Sequence, residues 1–207
     1  GVKERESGVL LHHMVRSFES QKEVFDSITC ASVVLDNPAT AGYEIDRVFE
    51  ALHYYKQPIY IELPRDIADK PIGYDVKLGT PKSPESDPQN LNESLEEVIS
   101  WIEDAENPVI LAGVELARFG LGKELVRFAE KTNIPIASTL LSKSVISETH
   151  PLFLGVYVGH TSEKSVKKSV ENSDCLLMFG AMLTDMTLGF MPSKFKKRRT
   201  VSCSIDS

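Results

Sequence analysis

Two uninterrupted apolar runs, PVILAG at 108–113 and CLLMFG at 175–180, constrain the fold more than any other feature of the sequence. A run like PVILAG, apolar at nearly every position, belongs to a strand buried on both faces, as strands of a parallel sheet between helices are. The segments around them fit. Leu91, Leu95, Val98, Ile99 and Ile102 recur at helical spacing before the first run. Leu121, Leu125, Phe128 and Ala129 do so after it, with Asn133 as a C-terminal stop. IPIAST at 134–139 and RTVSCS at 199–204 read as further strands, and a helix is expected over 163–172 with Ser162 as its cap. Asn90, with Glu93 three residues on, resembles a capping box with Asn in the Ser/Thr place. Strands alternating with helices of about ten to fifteen residues predict an α/β fold, parallel sheets flanked by helices.

Residues 1–63 carry the same alternation. Val24, Phe25 and Ile28 mark a helix over 20–28, and CASVVL at 30–35 is a β-branched strand. Ile45, Val48, Phe49 and Leu52 form the stripe of an amphipathic helix that Pro58 stops, before the strand IYIEL at 59–63. Between these halves, residues 64–90 hold five prolines and almost no periodicity. So long a structureless stretch is out of place inside one compact domain, so two α/β units joined by a linker are expected.

Composition narrows the function. A net charge of −7 argues against nucleic acid, which wants a basic surface. The one basic cluster, Lys194, Lys196, Lys197, Arg198 and Arg199, reads as a solvated turn before a strand. No apolar run is long enough to cross a membrane, and GVKERES lacks the apolar core of a signal peptide. Cys30, Cys175 and Cys203, odd in number and set among apolar or small residues, read as buried thiols in a reducing cytoplasm; none has zinc-site spacing. A chain that begins at Gly1 and ends just after a strand looks cut from something longer.

Nucleotide fingerprints are missing. Gly113 and Gly180 end strands but neither opens GxGxxG, so they are expected to turn the chain; Gly120 and Gly122 follow Arg118-Phe119 rather than a strand. The chemically pointed feature is Leu10-Leu11-His12-His13. Histidine titrates near neutrality, so a positioned pair gives and takes protons at cellular pH. In an extended segment the two face opposite ways, one toward a substrate and one toward an orienting partner; the alternative is two surface histidines. His53, His150 and His160 stand alone and are expected to be structural or solvated; Asp185, beyond a strand end, is expected to fix its loop.

GVLLHHM (8–14), the stretch from ESQKEVFDSITC to EIDRVFEAL (19–52) and QPIYIELPRDIAD (57–69) resemble the thiamine diphosphate-dependent 2-oxo acid decarboxylases, the pyruvate, indolepyruvate and phenylpyruvate decarboxylases. PVILAGVELARFGLGKELVRFAEKTNIPIAST, SETHPLFLGVYVG and DCLLMFGAMLTD are similar to their central domain. The resemblance implies that residues 1–70 are the C-terminal part of a pyrimidine-binding domain, 71–90 a linker and 91–207 a Rossmann-like central domain truncated at its end. It implies that His12 and His13 are catalytic histidines. It implies thiamine diphosphate and Mg2+ as cofactors, a 2-oxo acid as substrate, an aldehyde and CO2 as products, and a homodimer or homotetramer, with no nucleic acid or membrane partner. The family's activating glutamate falls before Gly1 and its GDG metal motif after Ser207, so this chain alone is expected to be inactive, with no metal ligands of its own. A scaffold or oligomer-contact role, or a nucleotide-binding α/β domain, are the rival readings. Lys143-Ser144 departs from the Lys-Gly that relatives often carry, which bears on the loop there.

Overall fold

A computed structural model describes residues 1–8, 16–79, 85–190, 195 and 199–205. They form two compact units, Gly1–Glu85 and Ser86–Ser207, whose boundary falls inside the proline-rich stretch.

The first unit runs α1 (Val2–Ser7), α2 (Ser20–Asp26), β1 (Ala31–Val34), α3 (Pro38–Tyr55) and β2 (Ile59–Glu62). β1 and β2 pair in parallel, from Ala31 opposite Ile59 to Val34 opposite Glu62, with α3 as the crossover such pairing requires. Local chemistry sets the ends of α3. The Asn37 side chain accepts from the Ala39 amide, Pro38 opens the first turn, and Lys56 leaves in the left-handed conformation two residues before Pro58. Ala41 and Val48 are buried against Val33 and Leu35, with Ile45, Phe49, Ile59 and Ile61 packed around them. Completely burying a side chain such as Val48 contributes about 1.5–3 kcal/mol. Phe25 packs on the sheet, whereas Val24 and Ile28 are exposed. Part of the proline-rich stretch also packs here. The buried Asp46 carboxylate of α3 accepts from the amides of Lys77 (2.9 Å) and Gly79 (3.2 Å).

The second unit runs α4 (Pro88–Glu103), β3 (Pro108–Ala112), α5 (Val114–Arg118), α6 (Gly122–Thr132), β4 (Ile136–Thr139), β5 (Phe153–Tyr157), α7 (Lys164–Asn172), β6 (Cys175–Phe179) and β7 (Thr200–Cys203). The strands form one parallel sheet in the order β5-β4-β3-β6-β7. Alternation along fully buried strands makes two cores. Ile110, Ala112, Ile136, Cys175 and Leu177 face one side, with Leu116, Leu125 and Ala129 from α5 and α6 and with Val98, Trp101 and Ile102 from α4. Val109, Leu111, Ala137, Leu176 and Met178 face the other, under Val166 and Val170 of α7. The expected α/β fold of parallel sheets flanked by helices is what the chain adopts.

Local readings differ in four places. α4 starts at Pro88, capped by the Asp87 carboxylate on the Asn90 amide (2.9 Å); Asn90 lies inside the first turn, because proline's fixed φ favours the helix start. Ser162 does not cap α7. Its hydroxyl accepts from the Val158 amide (2.7 Å) and donates to the Gly159 carbonyl (2.8 Å), closing the turn before the helix. β5 has no strong pattern in the sequence because Gly155 sits in its middle at φ +131°, where its register with β4 shifts. Of the three thiols only Cys175 is buried; Cys30 is half-buried and Cys203, on the edge strand β7, is exposed.

Candidate active site

Ligands of parallel α/β sheets gather where strands end, and in the first unit that edge is charged. Asp36 follows β1, Glu62 closes β2, and Asp66 lies just beyond. α1 is tied to this edge twice. Its Val2 and Lys3 amides donate to the Asp66 carboxylate at 2.8 and 2.9 Å, and those amides, Lys3 foremost, hold the Asp66 carboxyl below the usual carboxylate range. Arg5 reaches three carboxylates from three further segments: Glu19 at 3.7 Å, Asp36 at 3.6 Å and Glu62 at 3.9 Å.

Glu62 has a second partner. The Tyr60 hydroxyl donates to it at 3.3 Å, and burial, helped by that carboxylate, pushes the Tyr60 phenol up. The Tyr60 ring stacks on Phe25 of α2 with centroids 4.2 Å apart and planes 5° from parallel. α1 ends at Gly8, left-handed at φ +68°, its amide on the Arg5 carbonyl. His12 and His13 fall within 9–15 and lie outside the described residues. The flanks that carry them, Arg5 to Gly8 on one side and Ser17 to Phe25 on the other, are described.

A cavity of about 40 Å³ lined by Arg5, Phe18, Glu62 and Pro64 sits among these residues, room for about one water and not for a 2-oxo acid. A divalent metal does not fit either. Arg5 already draws in Glu19, Asp36 and Glu62, and no three His, Cys, Asp or Glu side chains converge as metal ligands among the described residues. The described residues do not fit a magnesium-bridged diphosphate.

In the second unit, Gly113 and Gly180 pack on each other. A Cβ on Gly113 would lie 1.9 Å from the Gly180 carbonyl oxygen, so backbone fills the space between the ends of β3 and β6. A groove of about 670 Å³ opens instead between α5, the start of α6 and residues 144–147, with Lys123, Ser144 and Ser147 as its polar lining. The remaining singled-out residues are dispersed. His53 is half-buried in the last turn of α3. His150 faces Glu130 at 3.4 Å and accepts from the Leu152 amide on Nδ1. His160 is exposed, and Asp185 accepts from the Phe190 amide through its backbone carbonyl (2.7 Å). Of the basic cluster only Arg199 is described, immediately before β7.

The sequence reading missed Arg5, Tyr60, Glu62 and Asp66. Only Glu62 and Asp66 had a signal, as carboxylates at and just beyond a predicted strand end; Arg5 on α1 and Tyr60 inside β2 had none.

A family model described as "Thiamine pyrophosphate enzyme, central domain" matches residues 95–207. Indole-3-pyruvate decarboxylase of Azospirillum brasilense is 32% identical over 97% of this chain and 36% of its own length. Pyruvate decarboxylase of Candida albicans is 34% identical over 96% of this chain and 36% of its own length. Pyruvate decarboxylase isozyme 3 of Saccharomyces cerevisiae is 31% identical over the same shares. The chain thus spans 36% of the length of these curated relatives. With the central-domain match covering more than half of it, the chain belongs to the thiamine pyrophosphate enzyme family.

Proposed function

We propose that the full-length protein is a carboxy-lyase that uses thiamine diphosphate and Mg2+ to convert a 2-oxo acid, such as pyruvate, indolepyruvate or phenylpyruvate, to an aldehyde and CO2. The observation that carries this reading is likeness to decarboxylases along 96–97% of the chain rather than over the central domain alone. Residues 1–70 are read as the end of the pyrimidine-binding domain and 91–207 as the central domain.

The net reaction replaces a carbon–carboxylate bond with a carbon–hydrogen bond. A proton must therefore be delivered as CO2 leaves, and a second group must hold the substrate's charge. His12 and His13 supply near-neutral donors and acceptors for this task. The seats of cofactor and metal belong to the rest of the full-length protein. The second unit acts as scaffold and subunit contact in a homodimer or homotetramer. The exposed Leu91, Leu95 and Ile99 on α4 support that role.

The test is His12→Ala and His13→Ala in the full-length protein with saturating cofactor. Loss of a positioned acid or base lowers turnover about 10²–10⁴-fold. A surface histidine changes stability by no more than about 0.5 kcal/mol and leaves turnover alone. Near wild-type turnover in both variants on every 2-oxo acid accepted would overturn the assignment.

A further inference from the structure

The loop that follows β6 satisfies its polar groups internally. The buried Thr187 hydroxyl donates to the Met182 carbonyl (3.2 Å), and the Thr187 amide donates to the Thr184 hydroxyl (3.2 Å). The Leu188, Gly189 and Phe190 amides donate to the Thr184, Met186 and Asp185 carbonyls at 3.0, 3.1 and 2.7 Å. Both ends of the loop are seated. At its root the Gly180 amide donates to the Cys203 carbonyl of β7 (2.7 Å). At its far end a Cβ on Gly159 would lie 2.0 Å from the Leu188 carbonyl oxygen, and one on Gly189 would lie 2.7 Å from the Val158 carbonyl oxygen. The loop therefore runs from the end of β6 to the end of β5, and β3 and β4 lie between those strands in the sheet. Its large apolar side chains are left in water. Met182, Leu183, Met186 and Phe190 are exposed, Phe190 at 77%, as are Leu140 and Leu141 after β4 at the same edge. Phe190 stands at φ +61°, a left-handed conformation that a residue with a Cβ adopts only at a cost. An aromatic ring held in solvent by a strained backbone points to a surface that binds.

We propose that residues 182–190, with Leu140 and Leu141, are a docking surface for the part of the full-length protein that follows Ser207. Where the chain leaves the second unit selects this occupant. Cys203 lies at the root of the loop, and two residues on, the Ile205 amide donates to the Glu115 carboxylate at the start of α5 (3.2 Å). The chain thus departs along the same carboxyl edge, and a segment tethered there meets the surface at an effective concentration that a separate molecule lacks. Asp185 is the one charged side chain among residues 181–190, so the segment it receives presents leucine, methionine or aromatic side chains rather than charge. Phenylalanine supplies contact area, and methionine adapts to an irregular partner. Because the loop is already ordered by its own hydrogen bonds, docking costs it little conformational freedom. This inference goes beyond the chemistry proposed above and takes from it only that the full-length protein continues past Ser207.

The experiment uses the full-length protein carrying the photo-cross-linker p-benzoylphenylalanine in place of Phe190 and, in a second preparation, in place of Met186. Isotopically light and heavy copies are mixed, irradiated, digested and mapped by mass spectrometry. The cross-linked peptide is expected to lie after Ser207 and to join light to light and heavy to heavy. A cross-link to residues 1–207, one that joins light to heavy and so marks a second copy, or none from either position overturns the proposal. Met186→Asp, added to the protein that bears the probe at position 190, sets a charge in a patch that loses its water on docking. It is expected to lower the yield of the cross-link about tenfold or more, and an unchanged yield overturns the proposal as well. Turnover of 2-oxo acids is measured on the unmodified protein. Its absence would strike the proposed decarboxylase activity and leave the cross-link as it stands, so the two failures are told apart.

Discussion

Ser144 sits at φ +73° on an exposed loop, in the left-handed region that glycine enters freely and other residues do not. The penalty for a side chain there is about 1–2 kcal/mol, and glycine gives back part of the gain as extra freedom when unfolded. Ser144→Gly is therefore expected to stabilise the second unit by about 0.5–1 kcal/mol, read as a raised denaturation midpoint; a lowered midpoint would refute the argument. At this scale the sequence was legible where backbone chemistry is local. Asn133 ends α6 in the left-handed conformation, as its residue type and position predict. Ser162 was not legible, because a hydroxyl beside a helix start serves equally well to close the turn before it. Cys203 was misread because its small and apolar neighbours do not reveal that β7 is an edge strand.

Whole elements were more legible than their joints. The strands β3 and β6 followed from unbroken apolar runs and α3 and α6 from apolar stripes, whereas β5 was hidden by Gly155 and the start of α4 by a choice between two capping residues. Nor does periodicity show that a loop will pack on a helix, as residues 77–79 do on α3. Burial raises the pKa of Asp46, but the amides of Gly79, Lys77 and Leu78 and the Tyr74 hydroxyl outweigh it and hold the carboxyl below the usual carboxylate range. A carboxyl with a depressed folded-state pKa stabilises the fold above its unfolded value of about 3.9 and loses that contribution as pH falls through the folded value. Asp46→Asn is thus expected to be less stable than the parent chain at pH 7, with the gap narrowing below about pH 4. Urea denaturation at pH 7 and pH 3 measures it, and an equal gap at both would show that the ionised carboxylate is not what holds the loop. The His12-His13 pair is a pattern of the sequence that lies outside the described residues, whereas the charged strand edge of the first unit comes from Arg5, Asp36, Glu62 and Asp66, brought together by topology rather than by one local pattern.

For the molecule as a whole, the two compact units meet where the chain is accessible: Glu85, Ser86 and Asp87 are exposed, whereas the Lys77 and Gly79 amides are tied to Asp46. A glutamate-specific protease is expected to cut first after Glu85, leaving pieces 1–85 and 86–207 by mass; first cuts within α6 or β3 would contradict this division. The two units also differ in how much of their sheet is interior. In the second, β3, β4 and β6 each have a neighbour on both sides; in the first, among the described residues, β1 and β2 have only each other. A parallel pair has as much edge as ladder, and every open edge is a template for another chain. Any truncation of the full-length protein that leaves β1 and β2 outermost therefore exchanges a folding problem for a colloidal one, set by protein concentration rather than by temperature or denaturant.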